Sequence, residues 1–199
     1  LPDVQTSTLE QDIAEARRVL GSRNLVFVGL MGAGKSAIGR LVAQMMDIPF
    51  VDSDHEIERV SRMTIAELFS AYGETEFRAL EERVITRLLK TGPRVLSTGG
   101  GAFMNEATRA RLLKSGLSVW LKADLDVLWM RVSKRDTRPL LRTENPRQTL
   151  SDLLDKRYPV YALADVTVQS RDEVKETIAA ETIAAIAQLK GGRSEAASR

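Results

Sequence analysis

A chain of 199 residues is long enough for one domain with a sizeable hydrophobic core. With 29 Lys+Arg against 27 Asp+Glu and only 5% aromatic residues, it lacks the basic, aromatic-interleaved run of a nucleic-acid module, so no nucleic-acid partner is expected. Zero cysteines exclude disulfides, thiolate catalysis and cysteine-bound zinc, and suit a reducing compartment.

The opening LPDVQTSTLEQD lacks the charged-then-apolar layout of a signal peptide, and no apolar run in the chain approaches membrane-spanning length. A cytoplasmic protein with no membrane contact is expected. LEQDIAEARRVL (9–20) has apolar residues at helical spacing and ends at Gly21, which predicts an amphipathic leader helix. NLVFVG (24–29) reads as a buried strand, SAIGRLVAQMM (36–46) as a helix and PFVD (49–52) as a second strand. A further helix is expected from His55, the only histidine, which has no partners for a triad and reads as a surface residue. Residues 64–90 are helical in pattern on both sides of Gly73, with Thr64 and Glu67 forming a capping box. RVLS (94–97) and SVWL (118–121) are short apolar runs preceded by helices. ADLDVLWMRVSKR (123–135) and TLSDLLDKRYPVYALA (149–164) are helical, DVTVQ (165–169) is a last strand, and residues 171–190 form a closing helix. The small, polar tail 191–199 is expected to be disordered. Short buried strands alternating with helices imply one α/β domain with a parallel sheet covered on both faces.

GLMGAGKS (29–36) fits G-x-x-x-x-G-K-[ST] between a predicted strand and a predicted helix. Glycines let successive backbone N–H groups turn inward onto phosphate oxygens, and the following helix adds its positive end. Lys35 would reach the β and γ phosphates, and the Ser36 hydroxyl could ligate Mg²⁺. The loop names a nucleoside triphosphate but not the recipient of the phosphate. VDSDHEIE (51–58) places Asp52 and Asp54 at a strand end, where they could hold a metal, grip a substrate or open a solvated helix. Strand alternation would turn the two in related directions. VLSTGGGAF (95–103) sets three glycines after a buried strand, where backbone can touch a ligand. Arg78 and Arg157 sit on different predicted helices; together they would clamp a carboxylate, and singly each is a solvated surface residue. DTRPLLRTENP (136–146) has the composition of a lid, with Arg138 as the cation for a transferring phosphate, or of a plain solvated loop.

GLMGAGKSAIGR, FVDSDHEIE, GETEFRALE, VLSTGGGAF, TRPLL and KRYPVY together resemble the shikimate kinases, a branch of the nucleoside-monophosphate-kinase-like P-loop kinases, over roughly residues 24 to 170. The resemblance implies a three-layer α/β/α fold with a five-stranded parallel sheet in the order 2-3-1-4-5 and a lid. The leader helix, over 1–21, lies outside the resemblance, which implies a single kinase domain over 22–190 with an acceptor-binding region near 53–92 and a lid near 135–147. Gly32, Ala33, Gly34, Lys35, Ser36 and Ala37 would cradle ATP, with Ser36 and Asp52 on Mg²⁺, Asp52 through water. Asp54 would contact the shikimate hydroxyl that is phosphorylated. Arg78, Gly99, Gly100, Gly101 and Arg157 would form the shikimate site, the two arginines holding its carboxylate. Arg138 would be the lid arginine, and Arg131 resembles the arginine that packs on adenine; no adenine contact is carried onto Arg171. Lys35, Asp54 and Arg138 would carry catalysis in a monomer whose small-molecule substrates are ATP and shikimate. Ala37 departs from the Thr the family often has there, removing a hydroxyl near the α-phosphate. The competing readings are a kinase for another small hydroxy acid such as gluconate, a catalytically silent nucleotide-binding relative and a nucleic-acid-binding ATPase. The TGGG run, the retained functional groups and the balanced charge stand against them in turn.

Overall fold

β1 (Asn24–Val28) is buried at every position, a pattern that demands cover on both faces of a sheet. It lies at the centre of five parallel strands in the order β2-β3-β1-β4-β5, with β2 (Phe50–Asp52), β3 (Val95–Ser97), β4 (Gly116–Lys122) and β5 (Val166–Gln169). The three-layer α/β/α fold and strand order expected from the sequence are those observed. This computed structural model describes residues 2–134 and 139–189; Arg138, most of the expected lid's first half and the tail 191–199 lie outside the described residues.

The helices are α1 (Pro2–Leu20), α2 (Lys35–Met45), α3 (Ser53–Ser61), α4 (Ile65–Leu88), α5 (Glu106–Ser115), α6 (Leu125–Val132), α7 (Pro146–Tyr161) and α8 (Lys175–Ala187). One group packs α2 against α8 and the sheet, with α1 laid on α8; another packs α4 against α5, and α5 against β4. The core between the layers is aliphatic and aromatic, with Phe27, Leu96, Leu112, Leu121 and Ile183 at most 1% exposed. α1 is anchored by Ala16 and Leu20, both buried, and by Arg17, whose Nε donates to the Met46 carbonyl at 2.7 Å. That bond satisfies one of the carbonyls left open at the end of α2.

Parallel register determines what the carboxyl edge presents. Phe27 pairs with Ser97, and Ser97 with Asp52, so the chain leaves β1, β3 and β2 at one level. The order reverses at β1, whose neighbours β3 and β4 lead to opposite ends of the sheet, and ligands of open α/β sheets enter at such a point.

Several boundaries differ from the sequence reading, each for a local reason. α3 begins at Ser53 rather than His55 because the Asp52 carboxylate caps it, accepting from the Asp54 N–H at 3.0 Å. Asp54 is therefore carried by the first helical turn, and strand alternation does not set its direction. His55 is exposed. α7 begins at Pro146, capped by Asn145, whose Oδ1 accepts from the Gln148 N–H at 3.2 Å. α8 begins at Lys175 rather than at residue 171.

At the start of α4, the Thr64 side chain accepts from the Glu67 N–H at 3.2 Å while Glu67 accepts from the Thr64 N–H at 2.7 Å. Gly73, at φ 78° and ψ 176°, interrupts the helix between this cap and Arg78. Thr64→Ala should lower unfolding stability by about 1 kcal/mol, read as a lower urea midpoint with an unchanged slope.

Candidate active site

The phosphate loop runs from Gly29 into α2. Gly32 at φ 83° and Gly34 at φ 96° occupy the left-handed region, where a side chain would be strained. A Cβ at Gly32 would also come within 2.8 Å of Val132 Cγ1. Ala33 is buried beneath the loop and closes a turn, its N–H donating to the Leu30 carbonyl at 3.2 Å. The first turn of α2 contains no acidic residue of its own, so the helix adds its positive end where it opens on the cleft. Lys35 is nearly buried, its Nζ donating to the carbonyls of Gly29 and Leu30 at 2.8 and 3.0 Å.

Ser36, one residue into that helix, donates its hydroxyl to Asp52 Oδ2 at 2.6 Å and lies 3.2 Å from Ser97 Oγ. The strand register explains the meeting, since Asp52 and Ser97 are paired residues. A hydroxyl and a carboxylate so close offer two hard oxygen ligands from one side, which suits a small divalent cation that keeps waters and takes phosphate oxygens. Among the described residues there is no cluster of three or more acidic, histidine or cysteine side chains, so a closed all-protein metal cage is not found there.

On the far side of Asp52 the chain presents a different chemistry. Asp54 Oδ1 and Glu81 Oε1 reach to 2.7 and 2.9 Å from where a Cβ on Gly99 would stand. A Cβ on Gly101 would stand 2.5 Å from Arg78 Cζ, and one on Gly100 would stand 3.3 Å from Arg157 Nη1. The three glycines thus bring Asp54, Arg78 and Arg157 to one strip of backbone. Arg157, almost buried, donates to the Gly100 carbonyl at 3.1 Å, and the buried Tyr161 hydroxyl donates to the same oxygen.

Arg78 is held by Glu81, Nη1 to Oε2 at 2.6 Å, and by Glu74. Burial works against the Arg78 charge, and the two glutamates outweigh it, so its guanidinium titrates above its ordinary value. Glu81 is 2% exposed. Burial pushes its carboxyl above the usual range, against the pull of Arg78 and with a push from Asp54. Its Oε1 is buried with no hydrogen-bond partner among the described residues. Two oxygens, on Asp54 and Glu81, therefore face the glycine strip beside two guanidinium groups.

A cleft of about 590 Å³ takes in the phosphate loop, Asp52, Asp54, Gly99 and Gly100, and extends to α6 and the turn between β5 and α8. Ser36, Ala37 and Arg131 line it, whereas Arg78, Gly101 and Arg157 lie past its glycine wall. Arg131 spans the other end, its Nη1 donating to the Gly32 carbonyl at 3.1 Å and its Nη2 to the Arg171 carbonyl at 2.6 Å. The Arg171 side chain turns away to Glu181 at 2.6 Å.

The shikimate kinase family model matches residues 31–187. A shikimate kinase of Rhizobium leguminosarum bv. trifolii (strain WSM2304) is 69% identical over 175 residues, 88% of this chain and 89% of the relative. The chain belongs to the shikimate kinase family. That of Rhizobium meliloti (strain 1021) is 65% identical, covering 92% of this chain and 95% of its own. Among solved structures, the shikimate kinase from Acinetobacter baumannii in complex with shikimate aligns with a TM-score of 0.80 at 36% identity, over 84% of this chain and 94% of that one. A gluconokinase from Sinorhizobium meliloti 1021, at 21% identity and a TM-score of 0.54, shares the fold.

Glu81, Tyr161 and Ser97 escaped the sequence reading. Glu81 had a visible signal, lying three residues after Arg78 on a helix, the spacing at which an ion pair forms. Gly101→Ala should preserve the fold, since Gly101 has an ordinary φ of −92°, yet push Arg78 from its place. The family's acceptor should then bind about tenfold more weakly while ADP affinity is unchanged, measured by calorimetry.

Proposed function

We propose that the chain transfers the γ-phosphoryl group of ATP to the 3-hydroxyl of shikimate, giving shikimate 3-phosphate and ADP. The observation that carries this reading is the division at the end of β2. Asp52 turns to Ser36 and the phosphate loop, and Asp54, two residues on, turns to Gly99 beside Glu81, with Arg78 and Arg157 on the next two glycines. A triphosphate on one side and a hydroxylated carboxylate on the other meet at that seam.

The roles follow from the chemistry of each group. Backbone N–H groups of the loop and of the first turn of α2 bind the phosphates, and Lys35 moves from the loop carbonyls onto them. Ser36 and Asp52 would hold Mg²⁺, Asp52 through water, and the ion supplies neutralisation of the phosphate charge. Arg157 and Arg78 take the acceptor's carboxylate, a planar anion that a guanidinium binds through two parallel hydrogen bonds. Glu81 fixes the direction of Arg78 from behind. Asp54 orients the 3-hydroxyl and accepts its proton as the oxygen–phosphorus bond forms and the bond to the leaving ADP oxygen breaks in line. Arg138 meets the γ-phosphate, and Arg131 packs on the adenine. Little covalent work falls to the protein, so positioning and charge stabilisation carry the rate.

We read the chain as a cytoplasmic monomer, which use of ATP as the phosphoryl donor suits. Among the described residues no helix is long and apolar enough to cross a membrane.

Coupled ADP release with shikimate, gluconate, nucleoside monophosphates and single-stranded DNA offered in turn should give turnover with shikimate alone. Folded protein without shikimate-dependent turnover would end this reading. Asp54→Asn should lower kcat by about a hundredfold or more with ADP affinity near normal. Arg78→Ala should raise KM for shikimate about tenfold or more, and a defect confined to ATP would remove it from the acceptor site.

A further inference from the structure

Ser170, in the turn after β5, is fully buried, and its hydroxyl is used twice. It donates to the Ala33 carbonyl of the phosphate loop at 2.8 Å and accepts from Arg131 Nη1 at 2.9 Å. Its own N–H donates to the Lys122 carbonyl at 2.6 Å, which fixes the residue to the end of β4. The same Arg131 reaches the Gly32 carbonyl and the Arg171 carbonyl. Two consecutive carbonyls of the phosphate loop are thus held from outside the loop.

A peptide group is planar and trans, so its C=O and the next residue's N–H point in opposite directions. The peptide joining Gly32 to Ala33 has its oxygen on Arg131 and its N–H in the turn to Leu30. The peptide joining Ala33 to Gly34 has its oxygen on Ser170, so its N–H points away from Ser170. Gly34, at φ 96°, has no Cβ to resist rotation of that peptide.

We infer that Ser170 is a positioning residue for the phosphate loop: by holding the Ala33 carbonyl it aims the Gly34 N–H at the nucleotide's phosphates. This rests on the reading of the loop as the phosphate site. Ser170 also belongs to the turn that flanks the base end of the cleft. The one hydroxyl therefore ties the wall beside the base to the donors beneath the phosphates, with Arg131 as the brace between them.

The test is binding without acceptor, so it is independent of transfer. Calorimetry on the full chain should show Ser170→Ala weakening ADP about tenfold while AMP, which lacks the β-phosphate, changes less than twofold. Ser170→Thr, which keeps the hydroxyl, should restore ADP affinity to within about threefold of the parent. Equal losses for ADP and AMP, or an unchanged ADP affinity in Ser170→Ala, would overturn the assignment. Parent protein that fails to bind ADP would instead reject the phosphate site itself. Should the alanine variant not fold, NMR relaxation dispersion on the unmodified protein decides: a Gly34 amide already static before ADP is added supports the inference, and millisecond exchange there that ADP quenches refutes it.

Discussion

The hydrogen bond from Ser36 Oγ to Asp52, at 2.6 Å, is the point on which the site depends. It joins the first turn of α2 to the end of β2, and so joins the segment that presents backbone donors to the segment that leads into the acceptor region. The two meet with β3 standing between β1 and β2 in parallel register and Ser97 beside Asp52. Asp52 has a further task in the same place, since its other oxygen caps α3 and so determines where Asp54 emerges. One carboxylate thus sets both sides of the seam, and strand order and active-site geometry are a single constraint.

Electrostatics differs on the two sides. The phosphate side combines dipoles, the backbone N–H groups and the helix end, with single charges set apart: Lys35 on loop carbonyls and Asp52 on Ser36. The acceptor side relies on full charges packed together, Arg78 with Glu81 and Arg157 beneath Gly100. Buried charges cost free energy unless paired, and truncating one partner leaves the other exposed to that cost. Glu81 therefore matters to Arg78 beyond simple attraction. Without it, a half-buried guanidinium would keep Glu74, itself largely exposed, as its one ion-pair partner among the described residues, beside the rings of Phe69 and Phe77.

Much of this was legible in the residues. The phosphate loop carries its own context, a β-branched strand before and an amphipathic helix after, and the glycine run after β3 marks a place where backbone meets ligand. Strand order and the convergence of Arg78 with Arg157 came through resemblance, because periodicity says which face of an element is buried and not which element lies beside it. Strand alternation does not set the direction of Asp54: a cap by Asp52 starts the helix early, and a carboxylate that caps looks in sequence the same as one that ends a strand. Ser97, Ser170 and Tyr161 were silent because their partners are backbone carbonyls or residues far along the chain, and a hydroxyl in a strand or helix has no pattern of its own.

Gly73 has a bearing on how such a site can diversify. The break at φ 78° divides α4 into an outer segment, carrying the Thr64 cap, and an inner one, carrying Arg78 and Glu81. A continuous helix would transmit every change of tilt or rotation at one end to the other, at a rigid 100° per residue. With the break, the outer segment can be recut in length or charge without the backbone turning the inner one on its axis. What still links the two segments is side-chain contact: Phe69 packs on Phe77 at 4.4 Å and lies 5.9 Å from the Arg78 guanidinium, so a change at Phe69 reaches the clamp where a change in length or charge further out does not.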